Sequence, residues 1–258
     1  MRLFGIGRRA LALAVLLLLA GTARAAELKV MSSGAFTAPL RLLIPEFEKA
    51  TGHTVTLSLG ASMGNAPDAI PNRLARGEAA DVVIIAGEAI DKLIAEGRLA
   101  PGSRTDIVLS RIGVTVRSGT PKPDIGTVEA IRSMLLEAPS IAYSASASGV
   151  YVSSEMYQAL GIADQVAPKS RRIMSERVAA VVARGEAAVG FQQVSEILGV
   201  PGADYVGPLP EPLQKVTAFS AGIAAKAEQP EAARQLVAFL RAPAAHPVIR
   251  SLGLDPAP

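Results

Sequence analysis

The six residues from Asp81 to Ala86 (Asp-Val-Val-Ile-Ile-Ala) constrain this chain more than any other stretch. A nearly continuous β-branched run fits a strand covered on both faces, as in a parallel sheet with helices on either side. The flanking segments agree. Leu28 to Ser32 reads as a strand, and Ala38 to Ala50 as a helix with Leu40, Leu43, Ile44 and Phe47 at helical spacing. Thr37 is its expected N-cap and Gly52 its stop. Val55 to Leu59 alternates as a second strand. A helix through Ile70 and Leu74 then runs to Arg76, and another spans Glu88 to Glu96. Strand and helix alternate, which predicts an α/β fold with a parallel core.

The pattern repeats further along. Strands are expected at Arg111 to Arg117, Ser140 to Ser144 and Ala188 to Gln192. Helices are expected at Val128 to Glu137, about Val150 to Leu160, and Glu176 to Ala183. The sequence Ala75-Arg76-Gly77-Glu78-Ala79-Ala80 recurs as Ala183-Arg184-Gly185-Glu186-Ala187-Ala188. Both copies close a helix and open an apolar strand. Chance in an alanine-rich chain and two similar α/β lobes both account for it. Val216 to Ala224 reads as a strand returning toward the first lobe, and Pro230 to Arg241 as a last helix. The expected organisation is a first lobe at 26–110, a second at 111–215, and a return to the first at 216–258. A ligand belongs in the cleft between them, beyond the carboxyl ends of parallel strands.

Residues 1–25 read as a secretory signal peptide. Arg2, Arg8 and Arg9 precede the apolar run Ala10 to Ala20, and Ala23-Arg24-Ala25 fits small-residue cleavage. Arg8-Arg9 leaves both general and twin-arginine export open. No later run approaches the ~18 apolar residues of a membrane helix. The expected destination is a bacterial periplasm. The leader also carries the positive charge. The whole chain has 26 basic and 23 acidic residues; without the leader's four arginines the count is 22 against 23. Nothing in that balance points to nucleic acid. The chain has no cysteine and two histidines, His53 and His246, which excludes disulfides, thiol chemistry and cysteine-ligated metal. No metal or other cofactor is expected. No nucleophile elbow, phosphate loop or dinucleotide fingerprint is present. Any catalysis must use proton transfer or electrostatics.

Three small-residue turns stand between a strand and a helix: Ser32-Ser33-Gly34, Ala61-Ser62-Met63-Gly64 and Ser146-Ala147-Ser148-Gly149. Each is an ordinary helix start or an anion cradle of unpaired N–H groups and hydroxyls. Gln192 and Gln193 follow an apolar strand, as ligand readers or as surface amides. Arg171, Arg172 and Arg177 lie around a loop before a helix, as carboxylate partners or a solvated face. Glu88 is a candidate base or a first-turn helix acid. Tyr151 is a candidate hydroxyl donor or a packing residue. His53 reads as structural.

The opening strand with its Ser/Gly turn, the segment Arg73 to Ala86, the Ser148-Gly149-Val150-Tyr151 turn and Arg184 to Ala187 resemble the type II periplasmic solute-binding proteins, especially their molybdate-binding branch. That resemblance implies a two-lobed fold, a small oxyanion ligand, a monomer and a partner permease of an ABC transporter. The chain departs from the branch in having Ala35 where a serine is usual and Gln193 near a usual tyrosine. The segment Gly60 to Ala86 and Gly190-Phe191-Gln192-Gln193 are similar to the periplasmic aconitate isomerases. This second resemblance implies a cofactor-free allylic proton shift on a small polycarboxylate. On it, Ser33, Gly34, Ser62, Ser148, Gly149, Arg172, Gln192 and Gln193 are expected to bind substrate, and Glu88 or Tyr151 to carry the proton.

Overall fold

The computed structural model describes residues 25–258. All but the last residue of the leader expected at 1–25 lies outside the described residues. Strands β1 (Glu27–Ser32), β2 (Thr54–Leu59), β3 (Val82–Ala86) and β4 (Thr105–Ser110) belong to a first sheet. Strands β5 (Ile112–Arg117), β6 (Ile141–Ser144), β7 (Ser170–Ile173), β8 (Val189–Gln193) and β9 (Ala203–Pro208) form a second. β10 (Thr217–Ile223) and β11 (Leu254–Pro256) return to the first. The strand orders are β11-β4-β10-β3-β1-β2 and β7-β6-β8-β5-β9.

β3 shows why the first sheet holds. All five of its residues are buried. Val82 and Ile84 enter one apolar layer with Phe36, Leu40, Phe47 and Leu236. Val83 and Ile85 enter another with Met31, Ile70, Ile90 and Leu99. Successive side chains of a strand point to opposite faces, so one uninterrupted apolar run feeds both layers. The second sheet is likewise covered on two sides, with Ile141 in one cluster and Ala142 in the other.

Each sheet is mixed rather than parallel throughout. β1 pairs parallel with β2 and β3, and β6 with β7 and β8. β10 runs antiparallel between β3 and β4, and β5 antiparallel between β8 and β9. β10 arrives from the other lobe and needs no helical crossover, so the parallel rule does not bind it. The chain crosses between sheets at Arg111 and again at Gln214–Val216. The Gln214 side chain ties the two crossings together. Its Oε1 accepts from the Ile112 N–H at 2.8 Å, and its Nε2 donates to the Ile112 and Leu209 carbonyls at 3.0 and 3.2 Å.

The first long helix begins at Gly34, not at Ala38, and ends at Thr51 with Gly52 in the left-handed region. Thr37 is therefore inside the helix, and its Oγ1 donates to the Ser33 carbonyl at 3.1 Å. Burial of Ala35 and Phe36 draws the first turn into the core. Pro39 lies within this helix and has no N–H to give the Ala35 carbonyl. Ser195 Oγ of the second lobe donates to that carbonyl instead, at 2.7 Å. The helix after β6 likewise starts early, at Ala147, so Ser148 and Gly149 sit in its first turn.

No helix among the described residues is long and apolar enough to cross a membrane. Asp81 is buried at the start of β3. Its two oxygens accept from the Lys29 and Gln229 N–H groups at 2.8 and 2.9 Å, joining β1 to the start of the Pro230–Arg241 helix. Asp81→Ala leaves both donors unpaired. The expected loss is about 3 kcal/mol of folding stability by denaturant titration.

Candidate functional site

A cleft of about 570 Å3 opens between the two sheets. The first lobe lines it with Ser33 to Ala35, Arg41, Leu59 to Ala61, Asp68 and Phe219. The second contributes Ser144 to Ser148, Ile173 to Arg177, Gln192, Gln193 and Glu196. These segments follow the carboxyl ends of β1, β2, β6, β7 and β8. Two helices begin here. One is Gly34–Thr51. The other starts at Ala147 and continues through a π turn at Val152–Met156 to Ala159. Their first-turn N–H groups have no partner within the helix and favour negative charge.

Ser33 is the N-cap of the first helix, but its side chain makes no capping bond. It is 2% exposed, and its Oγ has no hydrogen-bond partner. Gln193, at the end of β8, is also 2% exposed. Ser110 Oγ of β4 donates to its Oε1 at 2.7 Å, which leaves Nε2 buried and unpartnered. Asp68 Oδ1 is a third orphan, an acceptor. Gln192 is held at both ends of its amide: its Oε1 accepts from the Val178 N–H at 2.8 Å, and its Nε2 donates to Glu196 Oε1 at 3.0 Å.

Glu196 stands on the short Val194–Ile197 helix that follows Gln193. Burial pushes its carboxyl up to about 7, against the opposing pull of Arg177 and of the Gln192 hydrogen bond. The carboxylate lies so close to Gly34 that a methyl group there would overlap it. Three hydrogen bonds bridge the lobes around this point. They are Ser110 to Gln193, Ser195 Oγ to the Ala35 carbonyl, and the Ser62 N–H to Ser146 Oγ at 3.2 Å.

Residues 28–255 match the family described as bacterial extracellular solute-binding protein. The chain belongs to that family. An aconitate isomerase of Pseudomonas sp. is 46% identical over 252 residues, covering 96% of each chain. The molybdate-binding protein ModA of Azotobacter vinelandii is 29% identical over 246 residues, covering 92% of each. The solved periplasmic molybdate-binding protein of Azotobacter vinelandii superposes with a TM-score of 0.72 at 23% identity, over 88% of this chain and 98% of that one. The architecture is the two-lobed type II binding-protein fold.

Within this solute-binding protein, Ser33, Gly34, Ser148, Gln192 and Gln193 meet at the cleft. Ser148 Oγ is 3.0 Å from Ser144 Oγ. Ser62 is buried just behind, its Oγ accepting from the Ala86 N–H at 3.1 Å. Gly149 packs on the Ser144 backbone, where a methyl group would overlap it, so close approach requires glycine here. Arg172 is exposed on the edge strand β7, with its guanidinium 3.4 Å from the Ala145 carbonyl, and does not line the cleft. The lining guanidinium of that segment is Arg177, at the N-cap of the Val178–Ala183 helix.

The structure places neither proton-carrier candidate on the cleft lining. Glu88 is exposed in the first turn of the Gly87–Ala95 helix and is not among the lining residues. Tyr151 is turned away. Its hydroxyl donates to the Leu213 carbonyl at 2.9 Å, Lys215 Nζ lies 5.3 Å from its ring centroid, and burial raises its pKa. His53 is structural: Nδ1 accepts from the Ala26 N–H, and Nε2 meets Gln235. Among the described residues no group of three histidines, aspartates or glutamates is placed to hold a metal.

Sequence reasoning missed Glu196, Asp68 and Arg41. The available signal for Glu196 was an acid three residues beyond Gln193, on the same strand-to-helix connection. Gly34→Ala is expected to displace the Glu196 carboxylate while the helix keeps its start, since alanine is the better helix former. Ligand-induced thermal stabilisation should fall and the unliganded melting temperature should hold. An unchanged ligand response would contradict this packing.

Proposed function

We propose that this protein is a periplasmic aconitate isomerase. It would interconvert cis- and trans-aconitate by a 1,3-allylic proton shift in the cleft. One geometric observation carries the reading: Glu196, whose carboxyl pKa burial raises, lines the same cleft as two buried donors without partners, Ser33 Oγ and Gln193 Nε2. The 46% identical Pseudomonas relative, named for that activity, supports the choice of substrate.

The substrate has three carboxylates. Ser33 Oγ and the N–H groups of the Gly34 helix would receive one from the first lobe. Gln193 Nε2 and the start of the Ala147 helix would receive another from the second. Arg177 offers a fork for a bidentate carboxylate contact. Ionised Glu196 would then take a proton from the substrate methylene. The freed electron pair shifts through the double bond, and the protonated carboxyl returns a proton to the former alkenyl carbon. One C–H bond breaks, one forms, and the formula is unchanged. The carbanion is spread over the allyl system and the adjacent carboxylates, where Arg177 and the helix N–H groups stabilise it. A carboxyl near its midpoint at neutral pH serves in both directions.

The same reading includes export through a cleaved leader at residues 1–25 and action as a monomer. Its lobes would be 26–110 with 216–258, and 111–215, closing about the crossings at Arg111 and Gln214. A second reading is a receptor that hands a small organic anion or molybdate to an ABC transporter permease. The two helix starts facing one cleft and the 29% identical molybdate-binding relative favour it.

Glu196→Gln tests the first reading. Turnover of trans-aconitate should fall by at least about a thousandfold, within the usual range for a lost acid–base group, while binding persists in calorimetry. Retained turnover would move the proton to another group. In the wild type, kcat/KM should rise with pH to a midpoint near 7, as Glu196 ionises. Stability should move the other way. The folded state holds this proton more tightly than the unfolded chain, whose carboxyl titrates near 4.5, so stability declines as pH climbs through that interval to about 7.

A further inference from the structure

The repeated Ala-Arg-Gly-Glu-Ala-Ala motif has a shared geometry. In the first lobe, Arg76 caps the C-terminus of the Ile70–Ala75 helix. Its guanidinium reaches back along that helix to the Pro67 carbonyl at 2.8 Å, beside the cleft residue Asp68. In the second lobe, Arg184 caps the Val178–Ala183 helix. It reaches back to Glu176, with Nη1 to Oε2 at 2.9 Å and Nη2 to Oε1 at 3.1 Å. In each lobe the motif arginine therefore ties down the loop that delivers a charged residue to the cleft.

The second tie has a chemical consequence. Glu176 and Arg177 are neighbours in sequence, and both line the cleft. Arg177 already acts on the charge of Glu196, and a freed Glu176 would be a second carboxylate competing for it. Here both oxygens of Glu176 are held by Arg184. Arg184 is itself steadied by Glu186, which also binds Arg171 at 2.9 Å. Among the described residues Arg177 forms no ion pair and no side-chain hydrogen bond, while Glu176 and Arg184 are joined.

We propose that Arg184 is a positioning residue: by chelating Glu176 it keeps that carboxylate off Arg177 and leaves Arg177 open to a carboxylate of the substrate. The inference rests on the reading of the cleft as a polycarboxylate site. It treats an exposed ion pair as a means of withholding a competing anion rather than as a source of stability, which such pairs supply poorly. A freed Glu176 would both neutralise Arg177 and repel the incoming polyanion.

The test is Arg184→Gln alone and combined with Glu176→Gln, with steady-state kinetics on trans-aconitate. Arg184→Gln should raise KM by roughly tenfold, the scale of one lost charge-assisted contact. Its kcat should stay within about twofold, the worst-case scatter expected of a distant, non-contacting change. Adding Glu176→Gln should restore KM. A merely structural arginine would not be rescued by removing its partner's charge. An unchanged KM in Arg184→Gln, or a double variant as weak as the single, overturns the proposal.

Failure of the functional reading is distinguishable. If the wild type neither binds nor converts trans-aconitate, the assignment of substrate falls, and the contact is read without ligand. The 15Nε–1Hε signal of Arg177, assigned with Arg177→Lys, should show free guanidinium rotation in the wild type. It should show restrained rotation in Arg184→Gln, and free rotation again in the double variant. Identical rotation in all three overturns the positioning role.

Discussion

A buried polar atom without a partner costs about 1–3 kcal/mol, and Ser33 Oγ and Gln193 Nε2 carry that cost on opposite walls of one cleft. The surrounding structure keeps them in place. Ser33 is fixed because the Gly34–Thr51 helix is drawn into the core by Ala35 and Phe36. Gln193 is fixed because Ser110, from the other lobe, occupies its oxygen. Neither donor has a protein partner, so an anion held against the cleft wall would not have to displace an existing bond at either. The same preorganisation suits a receptor and an enzyme. What separates the two is a group able to exchange a proton near neutral pH.

Glu196 is the group proposed for this, and its position follows from the interface between lobes. It stands on a single helical turn beyond β8 and projects toward Gly34, where the absence of a side chain makes room for it. Burial raises its pKa, while Arg177 and Gln192 keep the ionised form accessible. The Pro39 gap in the facing helix and its bond from Ser195 hold the two surfaces together beside it. On the proposed reading, a binding-protein cleft acquires an acid–base residue from its own lining. The arginines of the repeated motif act one layer further out, on the loops that present Asp68 and Arg177.

Much of this fold was legible in the sequence, for reasons tied to burial. The run Val82 to Ala86 announces a strand covered on both sides, and the helices Val128–Glu137 and Pro230–Arg241 lie where periodicity places them. The edge strands were harder. β7 exposes two arginines, β9 contains glycine and proline, and β11 has three residues. An edge strand needs only one set of ladder partners and one apolar face, so its sequence carries little pattern. The serine and glutamine lining was readable because small turns and amides at strand ends face clefts in such folds. The proposed proton carrier was not. Glu88 and Glu196 each follow an apolar strand in the first turn of a helix, and only packing between lobes shows that one is exposed and the other half-buried on the cleft. Arg172 and Arg177 also differ by place: Arg177 lines the cleft, while Arg172 on the edge strand β7 reaches toward the Ala145 carbonyl and the Gly64 turn of the first lobe.

The central claim is proton transfer within the cleft, and NMR of trans-aconitate in heavy water with the purified protein tests it most directly. The account predicts cis-aconitate appearing in proportion to protein, with deuterium entering only the two carbons that exchange the allylic hydrogen. Saturable binding of trans-aconitate with neither cis-aconitate nor deuterium appearing would contradict it, and would leave a receptor in place of an enzyme.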